Sequence, residues 1–204
     1  MNKSRNRSST SCNNVMEGKI IIISAPSGCG KSTIINAILA KGEIDMQFSV
    51  SATSREPRGQ EVDGTDYYFL TPDDFRARIE ADAFVEFEEV YPERYYGTLK
   101  SEVERITADG HNVILDIDVK GGVNVKKLYG DRAVSIFIKP PSIETLRERL
   151  TGRATDSPEA IEQRVGKAAL ELTYAPAYDN VVINDNLDAA IATVEKIIKD
   201  FVSR

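Results

Sequence analysis

The 204-residue sequence predicts an α/β fold, a parallel sheet wrapped by helices, and three observations carry that prediction. Short apolar runs without polar alternation recur at 20–23, 113–115, 133–138 and 181–183, as in strands buried on both faces. Segments with helical start signals lie between them, and strands alternating with helices build parallel sheets. The first run, four isoleucines, passes through a loop of small residues into Ile34-Ile35-Asn36-Ala37-Ile38-Leu39, a strand, turn and helix in succession.

The remaining elements follow in order. Residues 1–17 are rich in Ser, Asn, Lys and Arg without an apolar period, so disorder is expected there, and no secretory signal. A short strand is expected at 47–51. Residues 51–69 are polar and turn-rich, yet hold Arg55 and Arg58 three apart and the pair Tyr67-Tyr68. Thr71 before Pro72-Asp73-Asp74 caps a helix through about Ala81. Residues 84–90 alternate like a strand, with Glu86 and Glu88 on one face and Val85 and Phe87 on the other. A helix is expected at about 99–108, then buried strands at 112–118 and 133–138. Ser142, after Pro140-Pro141, caps a helix through Leu150. A loop at 151–157, a helix at 158–173, a strand at 181–183 and an amphipathic helix at 187–202 complete the chain.

Composition narrows the function. A net charge of −6 argues against a general nucleic-acid binder, whose surface should be basic. No apolar run is long enough to span a bilayer. Cys12 and Cys29 form neither a metal set nor a disulfide framework, and Cys29 reads as a filler of a small slot. A cytoplasmic protein is expected.

The stretch Ser24-Ala25-Pro26-Ser27-Gly28-Cys29-Gly30-Lys31-Ser32-Thr33 is a phosphate-binding P-loop in the context such a loop requires. Gly28 and Gly30 let the backbone curl around an anion, and the helix N-terminus adds free N–H groups and dipole. Lys31 can reach the β/γ-phosphates and the Ser32 hydroxyl can ligate Mg²⁺. Ala25 stands where the usual pattern opens with Gly, which suits a residue with negative φ. Asp116, ending an apolar strand downstream, stands where a Walker-B carboxylate would, near that Mg²⁺.

Taken together, these motifs resemble the guanylate kinase family from about Lys19 to the C-terminus. The resemblance rests on the P-loop, on Ser49-Val50-Ser51-Ala52-Thr53-Ser54-Arg55-Glu56-Pro57-Arg58, on Tyr95-Tyr96-Gly97-Thr98 and on Leu115-Asp116-Ile117-Asp118. It extends through Pro140-Pro141-Ser142, Arg149-Leu150-Thr151-Gly152-Arg153 and Val182-Ile183-Asn184-Asp185. It implies a P-loop NTPase core (18–47, 99–139, 176–204), an inserted GMP-binding domain (48–98) and a helical lid (140–175). It also implies ATP bound at 25–33 and near Asn184, and GMP bound by Ser51, Arg55, Arg58, Tyr67, Glu86, Tyr96, Thr98 and Asp118. Lys31 and the lid arginines Arg153 and Arg164 would be catalytic, with ATP and GMP or dGMP as small-molecule substrates, no nucleic acid and no membrane. A monomer or homodimer is implied. Lys120, Gln60, Glu88 and a longer segment at 90–94 depart from the family pattern, and none removes a charged catalytic group.

The chemistry of the residues agrees. Guanine presents N1–H and N2–H₂ along one edge, and a carboxylate such as Glu86 accepts two parallel bonds from it. The acceptor phosphate is largely ionised at pH 7, with a second pKa of about 6, so it needs no base. That suits a chain whose one histidine, His111, lies at an expected surface turn. Two alternatives remain open at this stage: a kinase of the same fold acting on dTMP or a phosphorylated ribose, and a non-catalytic module binding phosphopeptides.

Overall fold

The computed structural model describes residues 17–152 and 157–204. Its strands are β1 (Ile20–Ser24), β2 (Met46–Phe48), β3 (Ala52–Thr53), β4 (Tyr68–Phe69), β5 (Phe84–Tyr91), β6 (Arg94–Leu99), β7 (Asn112–Asp116), β8 (Ala133–Lys139) and β9 (Asn180–Ile183). Its helices are α1 (Lys31–Lys41), α2 (Pro72–Glu80), α3 (Lys100–Ala108), α4 (Val119–Tyr129), α5 (Ile143–Gly152), α6 (Pro158–Leu172) and α7 (Leu187–Val202).

The apolar runs become one parallel sheet in the order β2-β7-β1-β8-β9. β1 is its middle strand, and all five of its residues are fully enclosed. Strand periodicity then sorts the isoleucines. Ile21 and Ile23 pack with residues of α1, α5, α6 and α7, while Ile20 and Ile22 pack with residues of α3 and α4. Each such burial stabilises the fold by roughly 1.5–3 kcal/mol, which is why a polar residue is tolerated only at the strand's end.

A second sheet, β4-β3-β6-β5, forms from residues 52–99. It is mixed: β3 pairs parallel with β4 and antiparallel with β6, which pairs antiparallel with β5. The expected cap on α2 is present, Thr71 Oγ1 accepting from the Asp74 N–H at 3.1 Å. That helix drives Phe75 between Phe84 and Tyr95, with ring centroids 4.3 and 5.2 Å away. The sheet therefore has its own small core.

Several expectations need correction. The strand expected at 47–51 is β2, which ends at Phe48, and the chain restarts as β3 in the other sheet. On β5 the carboxylate face is the sheltered one: Glu86 and Glu88 are half-buried while Phe87 is 48% exposed. The pairing of β5 with β6 shifts register between Phe84 and Glu86. The strand expected at 112–118 stops at Asp116, and Asp118 instead caps α4, a helix the sequence reading leaves unassigned. Thr151 and Gly152, expected in a loop, belong to α5, and the rest of that loop up to 156 lies outside the described residues. The disorder expected at 1–17 falls almost wholly outside them too. Glu17 is described, and its carboxylate pairs with Arg132 at 2.6 Å. Among the described residues no helix is long and apolar enough to cross a membrane.

Candidate nucleotide site

The loop between β1 and α1 opens at the C-terminal edge of the parallel sheet, where such sheets bind ligands. Gly28 and Gly30 have φ of +92° and +86°, the left-handed region that favours glycine. A side chain at position 28 would meet Leu150 at 2.8 Å, and one at position 30 would meet Asn184 Nδ2 at 2.5 Å. Asn184, 5% exposed, uses that same nitrogen to donate to the Cys29 carbonyl at 2.9 Å. Arg149 on α5 donates in turn to the Asn184 carbonyl at 2.8 Å and to the Asp185 carbonyl at 3.3 Å. So Asn184, expected near a bound nucleotide, acts here by fixing the loop. Cys29 is a filler as expected: burial pushes its thiol up to about 12, so it stays protonated and inert.

Lys31 pairs with Asp116, the carboxylate at the end of β7. Burial pulls the Lys31 ammonium down to about 8, while the charges of Asp118 and Glu171 oppose that fall. Loop residues 25–33 line a cavity of about 500 Å³ together with Asp116, Ile117, Asp118 and Glu171. Another cavity, about 570 Å³, opens at the opposite edge of the sheet. Two of its cations are already engaged, Lys19 with the Phe201 carbonyl at 2.9 Å and Lys126 with Asp179 at 3.0 Å, and it has no glycine loop.

The second sheet presents a different set of groups. Glu86 Oε1 accepts from the Thr98 hydroxyl at 2.7 Å across the β5–β6 pair. Burial pushes the Glu86 carboxyl up to about 7; the Thr98 bond lowers it and the charge of Asp118 raises it. Asp118 Oδ1 accepts from the backbone N–H groups of Lys120 and Gly121 at 2.7 and 3.1 Å. Asp118 also lines a cavity of about 330 Å³ with Glu88, Lys120, Lys167, Glu171 and Tyr174. It therefore stands between this cavity and the loop cavity. In the same place Glu171 Oε2 is enclosed without a hydrogen-bond partner, and Lys167 is 3.7 Å from the other oxygen.

Further out, Arg55 is 8% exposed, and its guanidinium lies over the Tyr67 ring at 4.9 Å. Its Nε donates to the Tyr96 hydroxyl at 3.2 Å. Its two terminal nitrogens grip Glu61 in a fork, at 2.6 and 2.7 Å, and Glu61 also accepts from the Arg58 backbone N–H at 2.7 Å. The Arg55 bonds hold the Glu61 carboxyl down to about 2. Thus Arg55, Tyr67 and Tyr96 are brought together, as are Glu86, Thr98 and Asp118. Ser51 contributes a backbone carbonyl to Tyr68, and Arg58 enters the group through its main chain. Arg164 is half-buried on α6, and Arg153 lies outside the described residues. Sequence reasoning missed Glu61, Glu171, Gly121 and the anchoring role of Arg149. A glycine pair inside a helix was the one available signal for Gly121.

A central strand, a glycine loop, a half-buried lysine and a strand-end carboxylate define a P-loop nucleotide-binding protein. Residues 17–201 match the family model described as Guanylate kinase. A guanylate kinase of Bacteroides thetaiotaomicron is 58% identical over 189 residues, covering 93% of this chain and 92% of that protein. One from Porphyromonas gingivalis is 56% identical, covering 91% and 99%. The crystal structure of guanylate kinase from Anaplasma phagocytophilum superposes with a TM-score of 0.71 at 28% identity, covering 93% of this chain and 88% of that one. The chain belongs to the guanylate kinase family.

Proposed function

We propose that this chain transfers the γ-phosphoryl group of ATP to GMP or dGMP, giving ADP and the corresponding diphosphate. The observation that carries the acceptor assignment is the sheltered Glu86 carboxylate, held by Thr98 and facing the start of α4. Its two oxygens match the N1–H and N2–H₂ edge of guanine, and adenine offers no such donor pair. A site built on such matching rejects an analogue that leaves it unpaired by roughly 10⁴-fold. Ser51, Thr98 and Asp118 complete the base side, while Arg55, Arg58, Tyr67 and Tyr96 hold the acceptor phosphate. Segment 48–98 is the acceptor domain and segment 140–175 the lid.

Residues 25–33 hold the donor phosphates, with Asn184 keeping the loop in shape. A phosphate oxygen of GMP attacks the γ-phosphorus. The bond to the β,γ-bridging oxygen breaks, and ADP departs with that electron pair. The acceptor is already ionised, so no side chain removes a proton. Lys31, Arg153 and Arg164 stabilise charge on the transferring group, and lid closure excludes water.

Magnesium fits the donor side. It keeps several waters and takes few protein oxygens beside those of phosphate. The loop cavity offers the Ser32 hydroxyl and the Asp116 carboxylate. Among the described residues no group of three or more His, Cys, Asp or Glu is placed to hold a metal. When bound, Mg²⁺ neutralises phosphate charge.

ADP release with ATP and Mg²⁺ over a panel of nucleoside monophosphates tests the proposal. Turnover confined to GMP and dGMP is expected. Faster turnover of AMP, CMP or dTMP, or of a phosphorylated ribose, would overturn it.

A further inference from the structure

Gly121 lies in the first turn of α4, two residues after its start. Glycine inside a helix costs about 0.5–1 kcal/mol relative to alanine, so its presence there calls for a reason. Backbone strain is not that reason, because Gly121 is not among the positive-φ glycines. The reason is in front of it. A methyl group at this position would lie 2.9 Å from Asp118 Oδ2, 3.0 Å from Glu86 Oε2 and 3.3 Å from Glu86 Cγ. The oxygens it would touch are not those already engaged: Glu86 bonds Thr98 through Oε1, and Asp118 caps α4 through Oδ1.

We infer that Gly121 is a specificity-determining notch, whose missing side chain lets the free oxygens of Glu86 and Asp118 approach each other at the start of α4. This rests on the guanylate reading of the site and deepens it. Two acceptors meeting at one notch select a base with a run of donors on its edge, a 2-aminopurine with N1 protonated. A methyl group in the notch would push both carboxylates off that edge, and the nearest atoms it would meet belong to Asp118 and Glu86 rather than to loop residues 25–33. Gly121 is a positioning residue, acting through Glu86 and Asp118.

Gly122 beside it is glycine for another reason. A methyl group there would meet the Tyr178 hydroxyl at 2.2 Å and Ser24 Oγ at 2.7 Å, both in the packing between α4 and the sheet. The adjacent glycines thus separate a binding role from a packing role within one helical turn.

The test is steady-state kinetics and thermal melting of Gly121→Ala beside wild type, with Gly166→Ala as a control. Gly166 lies within α6, and nothing is within 4 Å of the methyl group it would gain. Gly121→Ala is expected to raise KM for GMP about tenfold, leaving KM for ATP and the melting temperature within error and kcat within about twofold. In a Glu86→Ala background the same substitution should add less than about threefold, because one of the two oxygens it displaces is gone. Gly166→Ala, which adds helix propensity without a clash, should leave the melting temperature at or above that of wild type. Wild-type KM for GMP in Gly121→Ala would overturn the notch. So would an equal rise in both KM values, or a failure to fold, which would make Gly121 a packing glycine like Gly122. If wild type itself does not turn over GMP, the guanylate reading falls first, which separates the two failures.

Discussion

The donor loop and the acceptor cleft sit against the same helix start, yet they are built by opposite means. The proposed donor loop is one contiguous stretch that would bind through backbone and a single lysine, and its shape is fixed by two left-handed glycines. The proposed cleft draws on side chains of β5 and β6 and on Asp118, the cap of α4, none adjacent in sequence. Phosphate is the same in every nucleotide, so a backbone cradle suffices for it. A base must be told from other bases, and that takes side chains aimed from several directions. Shape read by main chain is robust, whereas shape read by convergence depends on single methyl groups.

The largest expected effect is on the donor side. Lys31→Met should lower kcat by about 10³-fold, the usual loss when a preorganised charge at the reacting phosphates is removed. Retained single-turnover transfer would remove Lys31 from the chemistry. Next comes packing: Gly122→Ala should destabilise by about 1–3 kcal/mol through overpacking against Tyr178 and Ser24, measured by chemical denaturation. An unchanged midpoint would mean that α4 can slide, which would weaken the notch account as well.

A smaller effect separates the halves by pH. Glu86 must be ionised to accept from guanine, and burial holds its carboxyl up to about 7. The efficiency for GMP, kcat/KM, should therefore fall as pH drops through about 7. Lys31 must stay charged, and burial brings it down to about 8, so the efficiency for ATP should fall as pH rises through about 8. In Glu86→Gln the acid limb for GMP should shift toward about 6, where the acceptor phosphate itself titrates, while the alkaline limb for ATP stays. The same carboxyl bears on stability. The folded state keeps a proton that the unfolded chain releases above the ordinary carboxyl value of 4.5, so stability drains as pH rises from there through about 7. Glu86→Gln should remove that loss in the ligand-free protein.

The same contrast explains what the sequence made legible. The donor loop could be read residue by residue, because strand, glycines, lysine and helix follow one another. Helix α7 was readable to its ends from its apolar period, and in the structure Asn186 caps it. Helix α4 was not, because Gly121 and Gly122 weaken the local helical signal to satisfy neighbours that only the tertiary fold supplies. Asp118 reads as a strand residue, yet it caps the helix whose start forms the notch. Glu61 was invisible for a similar reason: a turn returns it to Arg55, and no periodicity announces a turn's partner.

The most direct test of this division is KM for GMP and for ATP in Glu86→Gln, measured at pH 8, where the wild-type carboxyl is ionised. The account predicts a rise of about 100-fold for GMP, as expected when an acceptor matched to two donors becomes half donor, and no change for ATP. An unchanged KM for GMP, or a parallel rise in both, would contradict it.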